Sequence, residues 1–357
     1  MKLTQLDLFS GIGGFHLGFE KAGYEIESYF SEIDKYAIDV YKNNFKNSKY
    51  VGSVKDIQGK KLPKIDLLTF GSPCQDFSLA GRRAGMQGGR SSLITEAIRL
   101  VSECKPRVFV WENVKGTFSS NSGEDFWAII QAFANIGGYR LEWQLLNSSW
   151  FLPQNRERVY LVGYIGDGSG GQIFPISENN QKINKSISNP NSVTLTTRYR
   201  ASTSQGSYVM ERNKISQKIG DFRYDEGFRW RKDNNSPTLT LKANEILVKS
   251  STQKGYEKAT KGDSINYSFI NSKKRRGRVG KGKALTLDTS GNQAVYTDKI
   301  RRLTPIECER LQGFPDNWTQ EGVKGPISDS QRYKMCGNAV TVDVVKAVAE
   351  KCKFLFK

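Results

Sequence analysis

The chain has 357 residues, 54 Lys and Arg against 36 Asp and Glu, a formal charge of +18, one histidine and five cysteines. That length allows one large core or two domains, and no run approaches eighteen uninterrupted apolar residues, which argues against a membrane span. The lone His16 excludes histidine-rich metal clusters and leaves Ser-His or Cys-His catalysis only if His16 is itself the base. The odd cysteine count, without a C-x-x-C pair or a secretory leader, speaks against a disulfide framework or thiolate zinc site and for a reducing, cytoplasmic setting.

Residues 3–9, 26–31, 65–71, 107–111, 140–146 and 158–165 read as strands, and 15–22, 91–104 and 125–136 have helical spacing. The alternation predicts a doubly wound α/β sheet over the first 165 or so residues. The first strand runs into Ser10-Gly11-Ile12-Gly13-Gly14, a glycine turn at a helix start where a ligand can approach the backbone. Glu32, near the end of the next strand, is placed to take both hydroxyls of a ribose. The pair fits an adenosine cofactor without choosing between a dinucleotide and S-adenosylmethionine.

The strand at 65–71 leads directly into Pro73-Cys74-Gln75, which sets a thiol on the turn at the strand's end, where it points into a cleft. Any nucleophile there works without an imidazole partner. For Cys104, Cys308, Cys336 and Cys352 packing is the favoured explanation. Between Ser78 and Arg90, Gly81, Gly85, Gly88 and Gly89 are interspersed with Arg82, Arg83 and Arg90, a composition that predicts a lid free to move and suited to meet an anion. Trp111-Glu112-Asn113-Val114 ends another strand, so a parallel sheet puts Glu112 on the rim shared by Cys74 and Glu32, where it can hold a proton on a ring nitrogen. The arginines of Gln154-Asn155-Arg156-Glu157-Arg158 are suited to phosphate, a base or a thiolate, and Glu157 to surface ion pairing.

After Gly166-Asp167-Gly168-Ser169-Gly170-Gly171, a flexible linker by composition, the pattern changes to Asn, Ser, Thr, Lys and short strand-like runs. Residues 171–297 hold 23 Lys and Arg against 10 Asp and Glu, a net +13 that leaves +5 for the rest of the chain. Tyr199, Tyr208, Phe222, Tyr224, Phe228, Trp230, Tyr256 and Tyr267 are interleaved with these cations, which suits a nucleic-acid backbone. Val193-Thr194-Leu195-Thr196, Pro237-Thr238-Leu239-Thr240 and Ala284-Leu285-Thr286-Leu287 read as strand or loop pieces of one small domain. Lys273-Lys274-Arg275-Arg276-Gly277-Arg278 is dense enough to grip phosphate. Helical periodicity returns at 339–352, so the α/β domain is completed from the C-terminus.

Phe9-Ser10-Gly11-Ile12-Gly13-Gly14, Gly71-Ser72-Pro73-Cys74-Gln75-Asp76-Phe77-Ser78, Glu112-Asn113-Val114, Gln154-Asn155-Arg156-Glu157-Arg158, Arg302-Leu303-Thr304-Pro305-Ile306-Glu307-Cys308-Glu309-Arg310-Leu311-Gln312-Gly313-Phe314-Pro315 and Gly337-Asn338-Ala339-Val340, in this order, resemble the bacterial and phage DNA (cytosine-5)-methyltransferases. The match spans the chain outside about 176–298, the place of the family's variable target-recognition domain. The resemblance implies a class I S-adenosylmethionine-dependent methyltransferase fold, with a Rossmann-like catalytic domain at 1–175 and 330–357, a smaller, mostly β and loop target-recognition domain at 176–300, and a hinge at 301–329. It implies Cys74 as the nucleophile for C6 of a flipped cytosine, Glu112 as donor to N3, Arg158 on the cytosine O2, and Arg156 or Arg158 beside the thiolate. Cofactor contacts would come from Phe9, Gly11, Gly13, Gly14, Glu32, Ile33, Pro73, Leu93, Asn338 and Val340. DNA contacts would come from Gln75, Ser78, Arg82, Arg83, Arg90, Lys273, Lys274, Arg275, Arg276 and Arg278.

Two positions depart from the family pattern: Ser53 stands where an aspartate commonly meets the adenine, and Ala339 where serine is frequent. The expected cofactor is S-adenosyl-L-methionine, leaving as S-adenosyl-L-homocysteine, with no metal. The expected partner is double-stranded DNA, met by a monomer of the bacterial cytoplasm or of a phage-infected host, beside an independent cognate restriction endonuclease where one exists. A Rossmann oxidoreductase would explain the glycine turn and Glu32 but not Pro73-Cys74-Gln75 or the basic region. An RNA cytosine methyltransferase is disfavoured by the long insert at 176–298, and a catalytically dead DNA reader by the intact Cys74, Glu112 and Arg158.

Overall fold

Leu3 of the first strand packs on one face of a sheet and Leu6 and Leu8 on the other, so β1 (Lys2–Leu8) is buried from both sides. The same division recurs in β5 (Val108–Val114), where Val108 and Val110 face one way and Phe109 and Trp111 the other. Burial on two faces is why these strands read as unbroken apolar runs. With β2 (Glu25–Ser31), β3 (Lys49–Tyr50), β4 (Leu67–Gly71), β6 (Tyr139–Asn147) and β7 (Glu157–Ile165) they form one seven-stranded sheet, in the order β3-β2-β1-β4-β5-β7-β6. All neighbours are parallel except β7, which runs antiparallel to both β5 and β6.

The computed structural model describes residues 1–72, 93–118, 123–166, 171–177, 220–223, 227–230, 245–268, 277–297 and 299–357. Of the helices, α1 (Gly14–Lys21) covers one face of the sheet, and α3 (Leu93–Cys104) and α4 (Glu124–Ala134) cover the other. Every predicted strand and helix in the first 165 residues is present, its ends shifted by three residues or fewer. One helix was not expected: α2 (Lys35–Asn44) buries only Ala37, Asp39, Val40 and Tyr41 among polar neighbours. A cap starts it, because the Asp34 carboxylate accepts from the Tyr36 and Ala37 N–H groups.

Beyond the sheet come shorter pieces. β8 (Gly220–Arg223) pairs with β9 (Gly227–Trp230), and β10 (Glu245–Lys249) with β11 (Tyr256–Thr260). β12 (Ser264–Asn266), β13 (Val279–Gly280), β14 (Gln293–Tyr296) and β15 (Ile300–Arg302) form a four-stranded sheet ordered β13-β12-β14-β15. Residues 284–287, one of the three short β-branched pieces, form no strand; Ala284 instead makes a lone bridge to Gln154. The other two pieces and the proposed lid lie outside the described residues.

The chain then returns to the large sheet through α5 (Pro305–Leu311), opened by a Thr304–Glu307 capping box, then α6 (Asp329–Asn338) and α7 (Val342–Lys351). Val344 and Val348 of α7 join Phe15 and Phe19 of α1 in the core, so residues from both ends of the chain close one face. None of the helices among the described residues is long and apolar enough to cross a membrane.

Candidate active site

The strand order reverses direction between β1 and β4, and open α/β sheets bind ligands at such a switch point, outside the C-terminal strand ends. There Phe9, Gly11 and Gly13 all take left-handed backbone conformations, with φ of 51°, 53° and 85°. For Phe9 that conformation is strained; for the glycines it is accessible. A Cβ on Gly11 would meet nothing within 4 Å, whereas one on Gly13 would sit 2.3 Å from the Phe45 ring and one on Gly14 2.6 Å from Val340 Cγ2. The turn is therefore packed tightly from behind and open at Gly11. No side chain caps α1, so its first-turn N–H groups remain directed at this opening.

Glu32 faces the same turn. Its Oε2 accepts from the Gly11 N–H at 2.9 Å, and its Oε1 accepts from the Ile33 and Asp34 N–H groups at 2.7 and 2.9 Å. Three donors on a carboxylate with about four acceptor sites leave room for a hydroxyl. Ile33 is 78% exposed beside it, a bare apolar side chain suited to the face of a base. The Ser10 hydroxyl, 7% exposed at the turn, has no hydrogen-bond partner among the described residues. Turn, carboxylate and exposed isoleucine together fit a ribose bearing a flat base. Val340 lies between Gly14 and Gly71, Asn338 is exposed at the end of α6, and Leu93 opens α3. The Ser53 hydroxyl accepts a long 3.4 Å bond from the Lys55 N–H, and the Ala339 methyl is buried with Ile12, Phe314 and Met335.

One strand over, Gly71 of β4 pairs with Glu112 of β5, and Val114 pairs with Arg158 at the start of β7. Because β7 is antiparallel, its first residues, not its last, reach the rim. Arg158 Nε lies 3.2 Å from Glu112 Oε1, with the side chains 15% and 9% exposed. The contact is an ion pair without good hydrogen-bond alignment, since that carboxylate oxygen has no hydrogen-bond partner among the described residues. The other oxygen leans over Gly71, where an added Cβ would lie 3.2 Å from Oε2. The rim thus presents a carboxyl group of β5 backed by an arginine, beside the end of β4, the strand that leads to Cys74.

Two arginines differ from expectation. Arg156 is 4% exposed and donates from Nη2 to the Ala339 carbonyl at 2.9 Å and from Nη1 to the Gly337 carbonyl at 3.5 Å, so it joins the β7 entry to the turn before α7. Gln154 and Gln312 extend this joint, through Gln154 Nε2 to the Leu311 carbonyl and Gln312 Nε2 to the Cys336 carbonyl. Arg278, expected on DNA phosphate, is 1% exposed; its Nη1 donates to the Asn266 and Ser268 carbonyls, and its own N–H donates to the Glu257 carboxylate. Through these bonds the guanidinium braces β12 against β13.

Cys74, Pro73, Gln75, Ser78, Arg82, Arg83, Arg90, Lys273, Lys274, Arg275 and Arg276 lie outside the described residues. The other four cysteines can be judged directly. Burial pushes the Cys104 thiol up to about 11 and those of Cys308, Cys336 and Cys352 further, which suppresses thiolate formation. His16 is 3% exposed, stacked on Phe45 at 3.7 Å with Nδ1 3.0 Å from the Tyr41 hydroxyl, a core position. Sequence reasoning gave no role to Ser72 or Asn113, although both lie inside quoted motifs. Asn113 donates to the Ser72 hydroxyl and carbonyl, a contact between residues 41 apart that no local pattern signals.

The model of a family described as C-5 cytosine-specific DNA methylase matches residues 3–354. The chain is 30% identical to the orphan methyltransferase M.SPRI of Bacillus phage SPR, over 97% of this chain and 96% of that protein. It is 32% identical to the type II methyltransferase M1.ScrFI of Lactococcus lactis subsp. cremoris, over 98% and 78%. Among solved structures, an E. coli prophage-encoded protein described as a DNA modification methyltransferase superposes with a TM-score of 0.60 at 21% identity, over 99% of both chains. The Entamoeba histolytica methyltransferase EhMeth gives 0.59 at 17%, over 100% and 98%.

Proposed function

The chain belongs to the C-5 cytosine-specific DNA methylase family and is a DNA (cytosine-5)-methyltransferase, and we propose that it methylates C5 of a cytosine flipped out of a specific double-stranded DNA sequence, through a covalent bond between Cys74 and C6. The observation that carries this reading is the Glu112–Arg158 pair at the rim, opposite the strand end that leads to Cys74. S-adenosyl-L-methionine supplies an electrophilic methyl group and departs as S-adenosyl-L-homocysteine. Glu32 would hold its ribose, Ile33 its adenine and the Gly11–Gly14 turn its amino-acid end. The chain's own groups do the rest. The Cys74 thiolate adds to C6, a proton passes from Glu112 to N3, and the electron pair released at C5 forms the new carbon–carbon bond. Arg158 holds Glu112 in place and takes the cytosine O2. Loss of the C5 proton to water and expulsion of the thiolate then restore the C5–C6 double bond, and the N3 proton returns to Glu112.

The basic, aromatic stretch at 176–300 is assigned to target recognition, residues 1–175 and 330–357 to catalysis, and 301–329 to the hinge between them. Expression in a host lacking 5-methylcytosine, followed by bisulfite sequencing, tests the reading. We expect methylation at one short sequence motif, and none with Cys74→Ser. Unmethylated DNA with the parent chain, or equal methylation by the variant, refutes it.

A further inference from the structure

Ser72 is the last described residue before Pro73-Cys74, and it receives three hydrogen bonds from one strand. Trp111 Nε1 donates to its hydroxyl at 3.0 Å, and Asn113 Nδ2 donates to the same hydroxyl at 2.9 Å and to the Ser72 carbonyl at 3.2 Å. All three residues are buried: Trp111 is 0%, Asn113 1% and Ser72 6% exposed. The β4–β5 ladder ends at Gly71–Glu112, so these side chains continue the attachment of the two strands one step past their last paired residues. The amide of Asn113 cannot turn over without loss, because its Oδ1 accepts from the Val114 N–H at 2.7 Å and from the Thr117 hydroxyl at 3.3 Å. Trp111 is fixed in turn, its ring among Phe126 and Phe133 of α4.

We propose that Asn113, assisted by Trp111, is a positioning residue that sets the direction in which the chain leaves β4 toward Cys74, and so aligns the nucleophile with Glu112. The inference rests on the reading of Cys74 and Glu112 given above. Holding the Ser72 carbonyl restrains ψ of residue 72, which leads into a peptide bond that is itself rigid. Proline then has no N–H through which the segment could be tied, and its ring restricts φ to about −65°. A single soft torsion, ψ of residue 73, therefore separates the clamped plane from the peptide plane that carries Cys74. The clamp follows Glu112 by one residue on the same strand, which makes nucleophile and acid share one reference frame. An interaction whose only task was to stabilise the fold would act on folding and binding, whereas this one acts on the chemical step.

The test uses the full chain with Asn113→Ala and Trp111→Phe, the second keeping the buried ring while removing the donor. Three quantities are read: single-turnover methylation of duplex DNA, the rate of covalent adduct formation with 5-fluorocytosine DNA in the presence of S-adenosyl-L-methionine, and the affinities for DNA and S-adenosyl-L-methionine. Misplacement of a reacting atom by about 1 Å costs on the order of 100-fold, so Asn113→Ala is expected to slow both rates by roughly that factor and Trp111→Phe by about 5-fold, with both affinities within about 2-fold of the parent. Parental rates in either folded variant, or a loss of rate matched by an equal loss of affinity, overturn the proposal. If Asn113→Ala does not fold, Trp111→Phe decides alone. Failure of the parent itself to form an adduct, or an adduct through another cysteine, instead refutes the nucleophile on which the proposal rests.

Discussion

Gly71 has no side chain where Glu112 leans across it, and this one contact links the smallest residue of the rim to its acid. A methyl group at that place would lie 3.2 Å from Oε2, close enough to push the carboxyl aside by a few tenths of an ångström. Gly71→Ala is accordingly expected to lower kcat about 5- to 10-fold with DNA affinity unchanged, as read by steady-state methylation and a filter-binding titration; an unaltered kcat would show that the position of Glu112 is not critical. At this scale the sequence was most legible where a residue's chemistry is local. Glu32 follows its strand and faces the glycine turn, and Glu112 ends its own strand on the rim, because a parallel sheet sends strand ends to one side. Long side chains were less legible. Arg156 and Arg158 are two residues apart in one motif, yet one is buried against backbone carbonyls 181 and 183 residues away, and the other meets Glu112.

Among the elements, α1 and α7 pack closely against each other in the large core. An added Cβ on Gly18 would fall 2.4 Å from Val345 Cγ1, so the two helices approach at a glycine facing a valine. Gly18→Ala is expected to destabilise the chain by about 1–3 kcal/mol, the usual range for overpacking, and Gly18→Ala with Val345→Ala to recover only part of it, because the Val345 methyls are removed but its Cβ, 2.6 Å from the added methyl, remains. Urea unfolding midpoints of the two variants test this; a double variant no better than the single one would place the strain elsewhere. Periodicity identified six of the seven strands of the large sheet and the helices α1, α3, α4 and α7, because their apolar positions repeat every two or every three to four residues. It did not identify α2, whose existence depends on the Asp34 cap and on Phe45, Phe314 and Trp318 packing around it. The direction of β7 was equally invisible, since an apolar strand reads the same whichever way it runs.

At the scale of the whole molecule, residues near the two ends of the chain build one core: the Tyr24 hydroxyl donates to the Ala349 carbonyl, 325 residues away, and α7 covers the face that α1 leaves open. A chain cut after Asn338 exposes that apolar face and is expected to lose its cooperative thermal transition; a truncated chain that still melts cooperatively would show the sheet to be self-sufficient. The small sheets are tied to the same unit. The Ala284 N–H donates to the Pro153 carbonyl and the Asn155 N–H to the Ala284 carbonyl, just before the strand that carries Arg158. The sequence by itself determined the α/β architecture, the order of the motifs and the chemistry available at Cys74, Glu32 and Glu112, because each depends on residues close together in the chain or on the identity of a single side chain. Only the tertiary structure decided which arginine reaches the acid, that Arg278 is a buried brace, and that Asn113 holds Ser72. A charged or amide group takes whichever partner the fold brings within about 3 Å, and in this protein those partners come from distant parts of the chain.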